Sequence, residues 1–154
     1  MNKRFRVIIL ALFCLVLAGC DTEYAKEEYY NDSKIAARGD HCTKIMSSGT
    51  EVTHGATCKI KEFDGNTTLY KCAVTKEGLI NVNCSLSLDA GVAKLVYVDG
   101  YDSVTTLVEC TPENPSVDSE DVQVYVNPGK CRIKLVGYDC EEVEAAFTLS
   151  TLNE

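Results

Sequence analysis

Thiols are the residues with the most chemistry to offer in this chain. Its 154 residues include nine cysteines and only two histidines. Cys14 and Cys20 lie in or just after an apolar N-terminal run. The other seven are Cys42, Cys58, Cys72, Cys84, Cys110, Cys131 and Cys140. Thiols can pair as disulfides, ligate a soft metal or attack as thiolates. Neither Cys-x-x-Cys nor the Cys/His spacing of a zinc site is present. His41 and His54 sit near Cys42 and Cys58, but no second ligand pair completes a set. No metal and no cofactor are therefore expected. Gly-x-Ser-x-Gly, a Gly-rich phosphate loop and His-Glu-x-x-His are also absent. No catalytic residue can be named, and the chain reads as a non-enzyme. Disulfide pairing remains as the chemistry of the seven thiols, provided the chain meets an oxidising compartment. Seven is odd, so three bridges would leave one thiol over.

The N-terminus supplies that compartment. Met1 to Arg6 carry three positive charges and no negative one, and Val7 to Leu17 is an unbroken run of eleven apolar residues. Leu17-Ala18-Gly19-Cys20 follows. A basic start, a short apolar centre and a small-residue cleavage site describe an export signal. Eleven helical residues cover about 17 Å, well short of a bilayer core of about 30 Å. Leu17-Ala18-Gly19-Cys20 also resembles the lipobox of bacterial lipoprotein precursors. That resemblance implies cleavage between Gly19 and Cys20, and lipid attachment to the Cys20 thiol. Cys14 would leave with the signal. Two or three acyl chains, each methylene contributing about 0.8 kcal/mol, hold a protein stably on a membrane. The expected location is the bacterial cell membrane, with the domain facing the periplasm or the exterior. Asp21 resembles the inner-membrane retention signal of enteric lipoproteins.

These signals divide the chain into a signal peptide (1–19), a lipidated N-terminus and polar tether (20–41) and a folded domain (42–154). The part from Cys20 onward has 12 Lys and Arg against 23 Asp and Glu, a formal charge of −11. Such a surface argues against nucleic acid and against adhesion to anionic lipid heads. The implied partners are the membrane, through the lipid on Cys20, and a protein of the envelope.

From about Thr57 onward the apolar period is two. Ile80, Val82, Cys84, Leu86 and Leu88 alternate with Asn81, Asn83, Ser85 and Ser87. Comparable runs occur at Thr57–Phe63, Thr67–Thr75, Ala93–Val98, Val104–Cys110, Val122–Val126, Lys130–Tyr138 and Ala145–Leu152. Asp64-Gly65, Glu77-Gly78, Asp99-Gly100 and Pro128-Gly129 supply turn signals. The expected fold is all-β: a small antiparallel sandwich or barrel of about eight strands, stapled by disulfides. Parity in the expected hairpins sets Cys58 opposite Cys72 and Cys72 opposite Cys84, with Cys110 and Cys131 also inward. A hairpin at Pro128-Gly129 turns Arg132 and Lys134 outward beside Tyr125 and Gln123. Lys59, Lys61 and Lys71 point outward from the first hairpin. Asp118-Ser119-Glu120-Asp121 and Glu141-Glu142-Val143-Glu144 read as solvated loops, without the spacing of a calcium loop.

One further resemblance concerns function. Tyr70-Lys71-Cys72, the alternating strand to Cys84, and Ala93-Lys94-Leu95-Val96-Tyr97 loosely resemble the membrane-bound inhibitors of c-type lysozyme. That family implies a lipid-anchored antiparallel barrel that blocks a basic enzyme. Its Ser-Gly-x-x-Tyr inhibitory segment is absent here, so no site residues carry over. The expected function is a membrane-anchored, non-catalytic binding or interaction module of the envelope. The alternatives are an inhibitor of a host or phage lysozyme, and a structural, pilotin or exclusion lipoprotein of a secretion, conjugation or phage system.

Overall fold

A computed structural model describes residues 22–150. Gly19, Cys20 and the signal segment lie outside the described residues. Residues 22–29 are helical (α1). A short helix α2 follows at Asp32–Ile35, and then seven strands: β1 His41–Val52, β2 Gly55–Val74, β3 Gly78–Ser87, β4 Ala90–Val98, β5 Val104–Cys110, β6 Ser116–Val126 and β7 Gly129–Leu149. Every strand pairing is antiparallel.

Two long strands form the frame. β2 pairs with β7 from Gly55 opposite Thr148 to Val74 opposite Gly129, with register slips at Phe63/Gly65 and Thr68/Tyr70. Bulges of this kind bend a strand and increase its twist. At the first slip Gly65 has φ +104, and a β-carbon there would lie 2.1 Å from the His41 carbonyl oxygen, so only glycine fits. The other edge of β7 is shared. It pairs with β4 from Arg132 to Glu141, then with β3 from Glu144 to Leu149. Glu142, at φ 49, lies at the handover. The bent frame thus belongs to two half-sheets, β1-β2-β7-β3-β6 and β2-β7-β4-β5.

Their inner faces enclose one core. Ile60 and Phe63 of β2, Val82 and Leu86 of β3, Leu95 and Tyr97 of β4, and Ile133 and Leu135 of β7 are all buried in a single cluster. The halves touch directly. The Cys110 thiol of β5 donates to the Leu86 carbonyl of β3 at 3.1 Å, and the Tyr70 and Phe147 rings meet with centroids 5.9 Å apart. The fold is therefore antiparallel and sandwich-like, as the alternating pattern predicts.

Several finer expectations change. Thr57–Phe63 and Thr67–Thr75 are one strand, because Asp64-Gly65-Asn66 is a bulge within β2 rather than a hairpin turn. Lys130–Tyr138 and Ala145–Leu152 likewise merge into β7, so the acidic segment 141–144 is strand and not loop. Asp118 to Asp121 lie within β6. Strand β1 carries no period-two pattern, because it is an edge strand exposed along almost its whole length. Glu77-Gly78 and Pro128-Gly129 connect strands that do not pair, since β3 and β6 join each other and β7 joins β2. Cys58 and Cys72 therefore share β2 and cannot face one another, and Cys84 faces Phe147. Cys72 instead lies opposite Cys131. All seven described cysteines are free thiols, so the expected disulfide staples are not seen.

The described part of the segment read as a tether is docked chain. On α1, Ala25, Glu28 and Tyr29 are buried, the i, i+3, i+4 spacing of one helix face. Tyr29, Ile35 and Ala36 pack on Val96, Val98 and Val136, on the outer face of the four-strand half. Asn31 caps α2, accepting from the Ser33 and Lys34 amides at 3.1 and 3.2 Å. Arg132 and Lys134 do point away from the core, as parity requires, but this cap covers them. Lys134 is fully buried. Its Nζ donates to the carbonyls of Ile35 (2.9 Å), Ala37 (2.9 Å) and Gly39 (3.3 Å), with the Asp40 carboxylate 3.9 Å away. Some of these are carbonyls that a helix C-terminus leaves unpaired. The Tyr29 hydroxyl donates to Glu109, and Lys94 stands 4.4 Å from the Tyr29 ring centroid.

A second polar latch is buried beside it. Asn66 Nδ2 donates to Glu28 Oε1. Glu28 Oε2 and Asn66 Oδ1, both acceptors, have no hydrogen-bond partner among the described residues. Burial pushes the Glu28 carboxyl above its ordinary range, against the opposing pull of Asn66, His41, Lys134 and Lys34.

Two outcomes follow from the cap. Replacing Lys134 by Met should cost about 2–4 kcal/mol, because three carbonyls, that of Ile35 buried, lose a charged donor. Urea unfolding reads the loss, and faster tryptic cleavage after Arg38 reads the undocking. Glu28 contributes fully below its unfolded pKa of about 4.3, and the contribution drains away as pH rises through the higher folded value. Glu28→Gln keeps the amide pairing without a charge. It should flatten the loss of unfolding stability that Glu28 brings as pH rises above its unfolded value. An unchanged pH profile in the variant would rule out the latch.

Candidate functional site

The outer face of the five-strand half carries a trough of about 590 Å³. It is built from positions that alternate with core residues. Thr57 and Lys59 are exposed on β2 while Cys58 and Ile60 are buried, and Ser85 and Ser87 flank buried Leu86 on β3. Register then assembles two rows across all five strands. One runs Ser48, Lys59, Glu144, Ser87, Ser116, and the next runs Thr50, Thr57, Ala146, Ser85, Asp118. Neighbouring rows lie on the same face because side-chain direction repeats every second residue.

The chemistry of the trough follows from side-chain size. Serine, threonine and alanine are short, so the middle of the face is recessed. Six of the ten residues in the rows carry hydroxyls, each able both to donate and to accept. Lys59 and Glu144 form an exposed ion pair at 2.6 Å. A second recess continues the trough past Asn83, where the Asp121 amide donates to Asn83 Oδ1 at 2.8 Å. The arrangement can hydrogen-bond a polar, extended ligand along its length.

The thiols pack in the core, Cys58 and Cys84 also lying under the floor of the trough and its continuation. Burial raises the Cys58 and Cys72 thiols to about 11 and Cys140 to about 12, and lifts Cys84 and Cys110 as well. Thiols held in this way are protonated near neutral pH and are poor nucleophiles. His41 meets Tyr24 with ring centroids 4.5 Å apart and the rings tilted by 51°, and His54 occupies the β1–β2 turn at φ 64. The two do not converge. Among the described residues no three His, Cys, Asp or Glu side chains gather as a metal site. Of the expected basic patch, Lys59, Lys61 and Lys71 are exposed, whereas Arg132 and Lys134 are buried.

Half of the trough was legible beforehand. Ser85 and Ser87 are the polar partners in the clearest alternating strand. Ser48 and Thr50 were missed because β1 shows no alternation, and Ser116 and Asp118 because the start of β6 reads as loop. Only the pairing of β3 with β7 brings these segments into one row.

No protein-family model matches the chain, and a search of curated proteins finds no match. Among solved structures the chain is similar to a carbohydrate-binding module, TmCBM61, in complex with β-1,4-galactotriose. The identity is 11%, with 75% of this chain and 90% of that one covered, at a TM-score of 0.42. It is also similar to the carbohydrate-binding module CBM6cm-2 of Cellvibrio mixtus lichenase 5A in complex with cellotriose, at 6% identity, 73% and 91% coverage and a TM-score of 0.40. A third similarity is to the pre-peptidase C-terminal domain of a Bacillus anthracis collagenase, at 11% identity, 72% and 89% coverage and a TM-score of 0.36. All three scores are below 0.5, and the functional reading rests on the trough itself.

Proposed function

We propose that the protein is a lipid-anchored lipoprotein of the bacterial envelope whose β domain binds its ligand without transforming it. The observation that carries the binding reading is the trough, with its two hydroxyl-rich rows crossing five strands. Hydroxyls spaced by strand register suit a ligand that is itself polyhydroxylated and extended, so the ligand class is a glycan chain. Its contacts are hydrogen bonds rather than ring stacking, because no aromatic side chain stands in the two rows.

The anchor reading rests on Leu17-Ala18-Gly19-Cys20. One residue, Asp21, separates Cys20 from residue 22, and two chain steps span at most about 7 Å. A lipid on Cys20 would therefore lie close to the cap. The cap covers the outer face of one half-sheet and the trough opens on the outer face of the other. Anchored in this way, the domain turns the trough away from the cap.

Two experiments test these readings separately. Cys20→Ser should abolish incorporation of labelled palmitate and release the protein from sedimented membranes, with the β-sheet circular dichroism unchanged. Continued sedimentation would sink the anchor. For the trough, a panel of soluble glycans, including peptidoglycan strands, should yield a saturable ligand by calorimetry. Replacing Thr57 by Val and Ser85 by Ala together should then weaken binding by about tenfold or more, since each lost hydrogen bond is worth about 0.5–1.5 kcal/mol. Thr105→Val, on β5, should change nothing. Hydrolysis of a glycan, or equal affinity in the double variant, would overturn the reading.

A further inference from the structure

We propose a second site, independent of the trough: the recess between the cap and the β4–β5 turn binds a phosphate group. The recess measures about 760 Å³ and is lined by Arg38, Lys71, Lys130 and Arg132, with Gly100 and Asp102 from the turn. Four cations face one carboxylate there, in a chain whose formal net charge is −8. The concentration of positive charge is local and runs against the composition.

Strand register imposes this concentration. Lys71 on β2 lies directly opposite Arg132 on β7. Like charges opposed across a ladder destabilise a sheet. Lys134, two residues along β7, adds a third cation to the same face, and its charged form is disfavoured first by burial and then, among other charges, by Arg132 and Lys71. Among the described residues, the neutralisation on the recess side comes from Asp102, 2.6 Å from an Arg132 Nη. Among the described residues, Arg38, Lys71 and Lys130 make no ion pair. An anion bound in the recess relieves this repulsion.

Arg132 is also held ready. It is 6% exposed. One Nη donates to the Ala36 carbonyl at 2.9 Å and to Asp102, which fixes the guanidinium against the cap and the turn. Its Nε is buried and has no partner among the described residues. The turn is itself rigid, because Asp99 accepts from the Tyr101 and Ser103 amides at 2.8 and 2.9 Å and from Asn127 Nδ2 at 2.6 Å. A fixed guanidinium with an unspent N–H, flanked by the exposed ammonium groups of Lys71 and Lys130, suits a tetrahedral oxyanion better than a single carboxylate. The phosphate can belong to a soluble phosphorylated molecule or to a phospholipid head group.

The test uses the full chain with Cys20→Ser, so that no lipid attachment contributes to vesicle binding. Pyrophosphate titrated by calorimetry should bind saturably. Lys71→Gln with Lys130→Gln changes two exposed side chains and should weaken that binding by at least about tenfold, as expected for lost charge-assisted contacts. Lys44→Gln with Lys61→Gln removes the same charge from exposed positions elsewhere and should leave it unchanged. Vesicles of phosphatidylglycerol in phosphatidylcholine then identify the source. Capture that the Lys71/Lys130 variant loses assigns a head group, and pyrophosphate binding without capture assigns a soluble ligand. The site is overturned by absence of saturable pyrophosphate binding, or by equal loss in the two double variants. The trough variants leave the result unaffected, so the two sites fail or stand separately.

Discussion

Everything in this protein hangs on one bent ladder, β2 against β7. A straight pair of twenty-residue strands would bury nothing by itself, because each face of a sheet needs a covering layer. The slips at Phe63/Gly65 and Thr68/Tyr70 bend the pair, and β7 changes partner from β4 to β3 near Glu142. One continuous frame thereby supplies a strand pair to both layers. The inner faces close on Ile60, Leu86, Leu95 and Ile133. Two outer faces are left, and they differ in what covers them.

On the four-strand side the covering is α1 and α2. Three valines meet Tyr29, Ile35 and Ala36, but the fit depends as much on Lys134. An ammonium with no solvent contact is costly unless its hydrogen bonds are made, and here they go to carbonyls from the end of α2 onward. Cap and sheet satisfy one another's polar groups, and neither would be stable uncovered in this form. Glu28 with Asn66, and Arg132 with Ala36, follow the same logic. The consequence for function is positional: the residues nearest Cys20 in the described chain are fixed on one side of the domain. On the five-strand side none of the described residues covers the sheet as the cap does, and its short hydroxyl-bearing residues form the trough.

The parity of the sequence carried much of this. The alternation at Ile80–Leu88 placed β3 and its inward and outward residues, and Val104–Cys110 marks β5 from end to end. Parity also put Arg132 and Lys134 on the non-core side. It could not say that a cap lies over them, because burial by a segment a hundred residues away leaves no local trace. The hairpin reading failed for a similar reason. Asp64-Gly65 and Pro128-Gly129 have turn composition, yet glycine serves a bulge or a crossover as well as a hairpin, and only the partner strand distinguishes them. Cys72 thus meets Cys131 and not Cys58 or Cys84.

What the sequence determined by itself is local and compositional: a basic start and an apolar run before Leu17-Ala18-Gly19-Cys20, an acidic chain, and, in the strands of period two, which side chains face the core. These depend on residue type and on spacing along the chain. Tertiary structure alone decided which strands are neighbours, that residues 22–40 dock instead of hanging free, that Ser48 and Ser116 share a row, and that Lys71 opposes Arg132. Those are matters of register between segments distant in sequence. Register is fixed by closing a common core around one bent ladder, a constraint that no single stretch of the chain contains.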